Sequence, residues 1–229
     1  MFKVGNIISY QEMCSEEKTS LQKGMNFRVK NNLSIILMSL RKNAPYADKI
    51  EEGGRVLIYE GHDVAKYKTL TQDPKKMDQP MYLPSGQLSE NGKFYNAVLN
   101  YKRGHQEAEL VKVYEKIMPG VWSYNGIFKL IDAWQEKSSN RKVFKFKLEL
   151  TNNRIKENVF EIEHNRLIPT DVKKEVWKRD KGCCVICGNN INLHFDHIIP
   201  FSKGGSSITA KNIQLLCAKC NLSKNSKII

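Results

Sequence analysis

Six cysteines occur in the 229 residues, and five of them (Cys183, Cys184, Cys187, Cys217 and Cys220) fall in the last quarter of the chain, leaving Cys14 alone. Cys184-Val-Ile-Cys187 and Cys217-Ala-Lys-Cys220 each offer two thiols to one metal, and together they supply the four thiolates of a tetrahedral structural Zn²⁺. A disulfide framework would be spread through a small secreted domain, and two redox pairs rarely coincide in one short segment, so metal binding is the better reading. Cys183 is read as a bystander beside the set. The two knuckles are separated by 29 residues, more than a simple zinc ribbon needs, so something is folded between them. That insert contains Leu193-His-Phe-Asp-His-Ile-Ile-Pro200, and Asn221-Leu-Ser-Lys224 follows the second knuckle. His197 titrates near neutrality and can take a proton from water. Asp196, its neighbour on a strand, points to the other face and can ligate a hard divalent cation such as Mg²⁺.

These residues need a scaffold, and the chain offers a boundary for it at Leu167-Ile-Pro-Thr170. After that point Thr170 or Asp171 can cap a helix with an apolar side of Val172, Val176 and Trp177. Residues 170–229 are therefore expected to form a compact second domain, and residues 1–169 a first. Runs at Leu33–Leu40, Arg55–Tyr59, Leu110–Tyr114, Gly126–Trp134 and Val143–Leu150 are β-rich or alternate with period two. The first domain is thus expected to be a half-open β-barrel with one or two helices, and the whole chain α+β. Thr71 to Gly92 is long, polar and proline-bearing, a working loop or an insertion. Thr151 to Leu167 is charged and reads as a linker hairpin or helix.

Lys and Arg number 37 against 24 Asp and Glu, a formal +13. Ten basic and four acidic residues fall in 170–229, so the domains carry +6 and +7. Two basic halves fit a shared polyanion, of which nucleic acid is the commonest. The longest apolar run, Leu33–Leu40, is interrupted by serines and is far short of the roughly 20 residues of a membrane helix. The N-terminal residues lack the charged, apolar and small-residue succession of a secretion signal. A cytoplasmic protein of a prokaryotic cell is expected.

The order Cys184-x-x-Cys187, Asp196-His-Ile-x-Pro200, Gly204-Gly205, Asn212, Cys217-x-x-Cys220-Asn221-x-x-Lys224 resembles the HNH nucleases, with their ββα-metal fold, over residues 171–227. The resemblance implies a metal-dependent endodeoxyribonuclease. It makes His197 the general base, Asp196 and Asn221 the ligands of a catalytic Mg²⁺ or Mn²⁺, Asn212 the brace of the loop that aims His197, and Lys224 a phosphate contact. The family's last position is His in some members and Asn in others. His194 is read as a strand residue facing DNA or solvent.

A second, weaker resemblance covers Ser34 to Leu150. Tyr46-Ala-Asp48, Gly53-Gly54-Arg-Val-Leu-Ile-Tyr59-Glu-Gly61, Gly86-Gln87, Asn96-Ala97 and Trp122-Ser-Tyr124-Asn125-Gly126 are similar to the SRA (YDG) domain, a PUA-like β-barrel that reads modified cytosine by base flipping. Asn125 departs from the Asp usual in Tyr-Asp-Gly. The resemblance implies a flipped 5-methyl- or 5-hydroxymethylcytosine between Tyr46 and Tyr59, with Asp48 accepting from the exocyclic amine. Lys66, Lys68, Lys75, Lys76, Lys102 and Arg103 are candidates to follow the phosphates. The combined expectation is a modification-dependent restriction endonuclease acting on double-stranded DNA as a homodimer. The alternatives are a homing-type or nicking HNH enzyme that reads unmodified sequence, and a non-catalytic DNA-binding module.

Overall fold

The computed structural model describes residues 2–29, 33–41, 44–66, 70–151, 167–199, 207 and 209–224. The Thr151–Leu167 segment, Gly204-Gly205 and Lys68 lie wholly or almost wholly outside these residues.

The first part is built on one eight-stranded sheet. Its strands are β1 (Ile7–Ile8), β2 (Met25–Val29), β3 (Leu33–Met38), β4 (Lys49–Glu51), β5 (Val56–Glu60), β6 (Glu109–Met118), β7 (Val121–Ser138) and β8 (Arg141–Leu150). The order is β2-β3-β6-β7-β8-β5-β4, with β1 added to β7; β3 and β6 run parallel and every other pair is antiparallel. Helix α1 (Tyr10–Glu17) follows β1, and α2 (Glu90–Lys102) begins within the last three residues of the Thr71–Gly92 polar stretch.

The alternation read in Val143–Leu150 puts Phe144, Phe146, Leu148 and Leu150 into the core. There they meet Met25 from one end of the strand order, Leu57 and Tyr59 from near the other, and Phe94, Ala97 and Val98 of α2. One core shared by both ends of the order means that the sheet curls around α2. Lys145 breaks the alternation: it is buried because Glu60 of β5 accepts from its ammonium at 2.9 Å.

The second part has α3 (Thr170–Arg179), β9 (Leu193–His197), β10 (Ile213–Cys217) and α4 (Ala218–Lys224), with β9 and β10 antiparallel. Val172 and Val176 are buried as the helical pattern requires, and Trp177 packs beside them. The helix cap differs from the expectation. Pro169 occupies the cap position without a side-chain bond, and Thr170 is the first helical residue. Its hydroxyl instead donates to Glu115 of β6. Leu167 packs in the core of the sheet while Ile168 packs in the second core. The N-terminal segment joins both parts, since β1 pairs with β7 while Ile7 packs on the second core.

Candidate functional site

Strand β9 carries Asp196 and His197 at its end, and pairing with β10 sets Asp196 opposite Gln214 and His197 opposite Ile213. The Asp196 carboxylate accepts from Gln214 Nε2 at 3.1 Å and from Lys224 Nζ at 2.5 Å. Lys224 also donates to the backbone carbonyl of His197. Its side chain is 1% exposed. Lys224, expected at a phosphate, is therefore turned inward onto the carboxylate, where α4 places it opposite the end of β9. The ring of His197 meets Ser207 Oγ at 2.8 Å through Nε2. Burial holds the imidazole below its ordinary pKa, with Asp196 opposing the shift, so the ring is neutral at pH 7. Asn212 fixes the chain that leaves β9: its Oδ1 accepts from the Ile199 N–H at 2.8 Å and its Nδ2 donates to the Ile199 carbonyl at 3.0 Å. Asn221 lies on α4, half-buried, one turn before Lys224. Carboxylate and amide oxygens are the donors that hard divalent cations take, so Asp196 and Asn221 suit Mg²⁺ or Mn²⁺ chemically.

The zinc set is assembled in space. The Sγ atoms of Cys184, Cys187, Cys217 and Cys220 all lie within 4.8 Å of one another. Four sulfurs at about 2.3 Å from a central Zn²⁺ would be about 3.8 Å apart, so the cluster has the right size for one ion. Burial alone would push the Cys184 thiol up, but backbone N–H groups of Cys217, Cys187 and Ile186 outweigh it and bring its pKa down to about 6. Cys183 lies outside the set, with its sulfur on the Lys181 carbonyl at 3.5 Å. His194 is turned away from solvent: it is buried against Asn6, whose Nδ2 lies 3.1 Å from its ring.

In the first part, Tyr46, Asp48 and Tyr59 line one cavity of about 940 Å³, whose wall also includes His62, Asp63 and Lys75. His62 was not legible as a site residue, although it follows Tyr59 by three. Its ring stacks on Tyr46 with centroids 5.3 Å apart and planes 15° apart, and its Nε2 meets the Tyr59 hydroxyl at 3.0 Å. Asn91 clamps its backbone, accepting from the N–H and donating to the carbonyl, both at 2.8 Å. Gly24 has to be glycine here, because a Cβ would come within 2.7 Å of His62 Nε2 and 2.8 Å of the Tyr59 hydroxyl. Burial lowers the His62 pKa to about 4 and raises that of Tyr59 well above its ordinary value, so both rings are neutral.

Asp48 accepts from the backbone N–H groups of Glu60 at 3.0 Å and Ser39 at 3.2 Å. Burial nevertheless raises its pKa to about 7. The polar stretch supplies Lys75, whose ammonium sits 3.9 Å from the centre of the Tyr46 ring and 2.7 Å from Asp63. That stretch is pinned to β8 by buried Gln79, which accepts from the Phe144 N–H at 2.8 Å, so it is a built wall of the cavity. Of the basic residues considered for phosphates, Lys75 and Lys102 are ion-paired, with Asp63 and Asp132.

Residues 184–227 match the family model described as HNH endonuclease. Among curated proteins, none matches the sequence. Similar solved structures include the SUVH5 SRA domain in complex with methylated CHH DNA, at 20% identity and TM-score 0.45 over 66% of this chain and 90% of that one. The same domain bound to fully hydroxymethylated CG DNA gives 19% identity and TM-score 0.46 over 69% and 94%. The modification-dependent TagI restriction endonuclease gives 18% identity and TM-score 0.41 over 96% of this chain and 76% of that one.

Proposed function

We propose that the protein is a modification-dependent endodeoxyribonuclease in which the sheet-rich part, residues 1–169, reads a flipped 5-methyl- or 5-hydroxymethylcytosine and the HNH region, residues 170–229, hydrolyses a phosphodiester nearby. The observation that carries this reading is the meeting of Tyr46, Tyr59 and Asp48 on one cavity, in a chain that also matches the HNH family. Stacking on the Tyr46 ring, which meets His62 and Lys75 in this structure, would offset part of the unstacking of an extruded base, with the Tyr59 ring, 2% exposed, backing His62. An ionised Asp48 accepts from the exocyclic amine that cytosine has and thymine lacks.

Hydrolysis is assigned to the end of β9. Ser207 engages Nε2 of His197, which leaves Nδ1 as the atom that takes a proton from the attacking water. Asn212 holds the Ile199 backbone and so keeps the imidazole aimed. A Mg²⁺ or Mn²⁺ ion held by Asp196 and Asn221 would supply positive charge to the phosphate and to the departing oxygen. The four cysteines hold Zn²⁺ and tie β10 and α4 to the loop before β9. Cutting both strands with one such site per chain calls for a homodimer. The protein acts within a prokaryotic cell on invading modified DNA.

One plasmid prepared with and without cytosine methylation tests the reading. Mg²⁺- or Mn²⁺-dependent cutting of the methylated form alone is expected, and equal cutting of both would overturn it.

A further inference from the structure

Asn125, the residue that departs from Tyr-Asp-Gly, lies at a bulge in β7. Val113 pairs with Gly126 and Tyr114 with Tyr124, so Asn125 has no partner in β6. A bulge re-aims the extra side chain, and here the side chain points at the second part of the molecule. Asn125 Nδ2 donates to Glu115 at 3.0 Å, and its Oδ1 accepts from Lys173 of α3 at 2.8 Å. Lys173 in turn is 2.7 Å from Glu115, and the Thr170 hydroxyl completes the carboxylate's shell. Glu115 is 0% exposed and Asn125 1%. An aspartate at 125 could donate nothing to Glu115 and would place a second carboxylate beside it, whereas asparagine serves both charged neighbours.

A second connection runs in parallel. The Gly5 N–H donates to the Tyr124 carbonyl and the Tyr124 N–H to the Asn6 carbonyl, both at 2.9 Å, while the Phe195 N–H donates to the Gly5 carbonyl at 3.1 Å. The N-terminal segment thus hydrogen-bonds on one side to β7 and on the other to β9, one residue before Asp196. Immediately beside these residues, at the turn of the same β6–β7 hairpin, Lys116, Gly120 and Trp122 line the cavity of Tyr46 and Tyr59. One hairpin therefore forms part of the reading cavity and grips the cutting region.

We propose that Glu115, Asn125 and Lys173 are positioning residues that lock the HNH region in one orientation on the reading domain, so that the cut falls at a fixed distance from the modified base. The inference rests on the function proposed above. A buried ion pair disfavours other packed dockings, because those would leave one of its charges buried without its partner. Without the lock, only the covalent length of the 15 residues between Thr151 and Leu167 would limit where the HNH region sits. Fully extended they reach roughly 50 Å, about fifteen base pairs of duplex, and cuts would scatter over that range.

The test uses the full chain and a duplex with one modified cytosine, with the 5′ ends of the products mapped. Wild type is expected to cut at one position per strand. A Gly-Ser insertion after Asn158 is expected to leave that position unchanged, and Asn125→Asp or Lys173→Met to broaden it while modified-DNA binding persists. If the insertion moves or broadens the cuts, the lock is refuted, whatever the folding of the other variants. Small-angle scattering reads docking without cleavage: an unchanged radius of gyration after the insertion supports the lock, and an increased one refutes it. Failure of wild type to prefer modified DNA, with docking intact, would instead remove the functional reading and leave the lock standing.

Discussion

His197 is the side chain on which the proposed chemistry turns, and its role separates from binding. His197→Ala should lower single-turnover cleavage by about 10²-fold to 10⁴-fold, the usual contribution of a general base, while leaving the affinity for modified duplex unchanged. Cleavage at the wild-type rate would remove it from the mechanism. Asp48 makes a different prediction because burial brings its pKa up to about 7, with Glu60 adding to the rise and Lys145 and two backbone N–H groups opposing it. The ionised form accepts from the cytosine amine, so affinity should rise with pH. The ionised fraction goes from roughly 10% at pH 6 to roughly 90% at pH 8, and modified-base affinity should increase by up to about tenfold between them. Titration of binding by fluorescence anisotropy, with a duplex bearing thymine at the same position as reference, checks this; a flat ratio would place Asp48 outside recognition. For folding the sign is reversed. The native state holds the extra proton between about pH 4 and pH 7, so this group's contribution to stability falls as pH rises through that window.

The zinc knuckles show how elements depend on those residues. Cys184 and Cys187 lie in the turns before β9, Cys217 ends β10 and Cys220 is in α4, a helix of only seven residues that cannot persist by itself. Cys187→Ser should lose bound zinc, measured by metal analysis, and with it the placement of Asn221 and Lys224, so cleavage should fall with the metal content. Retention of full activity without zinc would contradict the assignment. The elements differed in how far they could be read in advance. The strands β3, β5, β6, β7 and β8 were legible because one face of each, or both faces in β5, are buried, which writes an apolar alternation or run into the sequence. The cysteine pairs and Asp196-His197 were legible because chemistry fixes their types and local spacing. Helix α2 was not placed, since its buried face mixes Phe94, Ala97 and Val98 with Asn91 and Gly92, and Gly92 is there because a Cβ would collide with the Met81 carbonyl. Lys224 read as a phosphate contact because its partner, Asp196, stands 28 residues away in sequence. His62 and the Glu115–Lys173 pair were invisible for a related reason: each becomes meaningful only when segments apart in sequence meet, Tyr46 with His62 and β6 with α3.

At the scale of the whole molecule, the +13 charge and the cavity make separable contributions. Phosphate contacts give a logarithmic salt slope of about −0.9 per phosphate neutralised, whatever the base. Modified and unmodified duplexes should therefore show parallel salt dependences, with a nearly constant ratio of affinities; a ratio that collapses as salt rises would mean that charge, not the cavity, discriminates. The central claim is that one chain reads a modified cytosine through Tyr46, Tyr59 and Asp48 and cuts through its HNH region. It is tested most directly by incubating duplexes of one sequence, bearing unmodified, 5-methyl- or 5-hydroxymethylcytosine at one position, with wild type and with Tyr46→Ala in the presence of Mg²⁺ or Mn²⁺. Wild type is predicted to cut one or both modified duplexes and spare the unmodified one, and Tyr46→Ala to lose about 1–3 kcal/mol of stacking on the modified duplexes, roughly fivefold to 150-fold in binding. Equal cutting of all three duplexes by wild type would contradict the account.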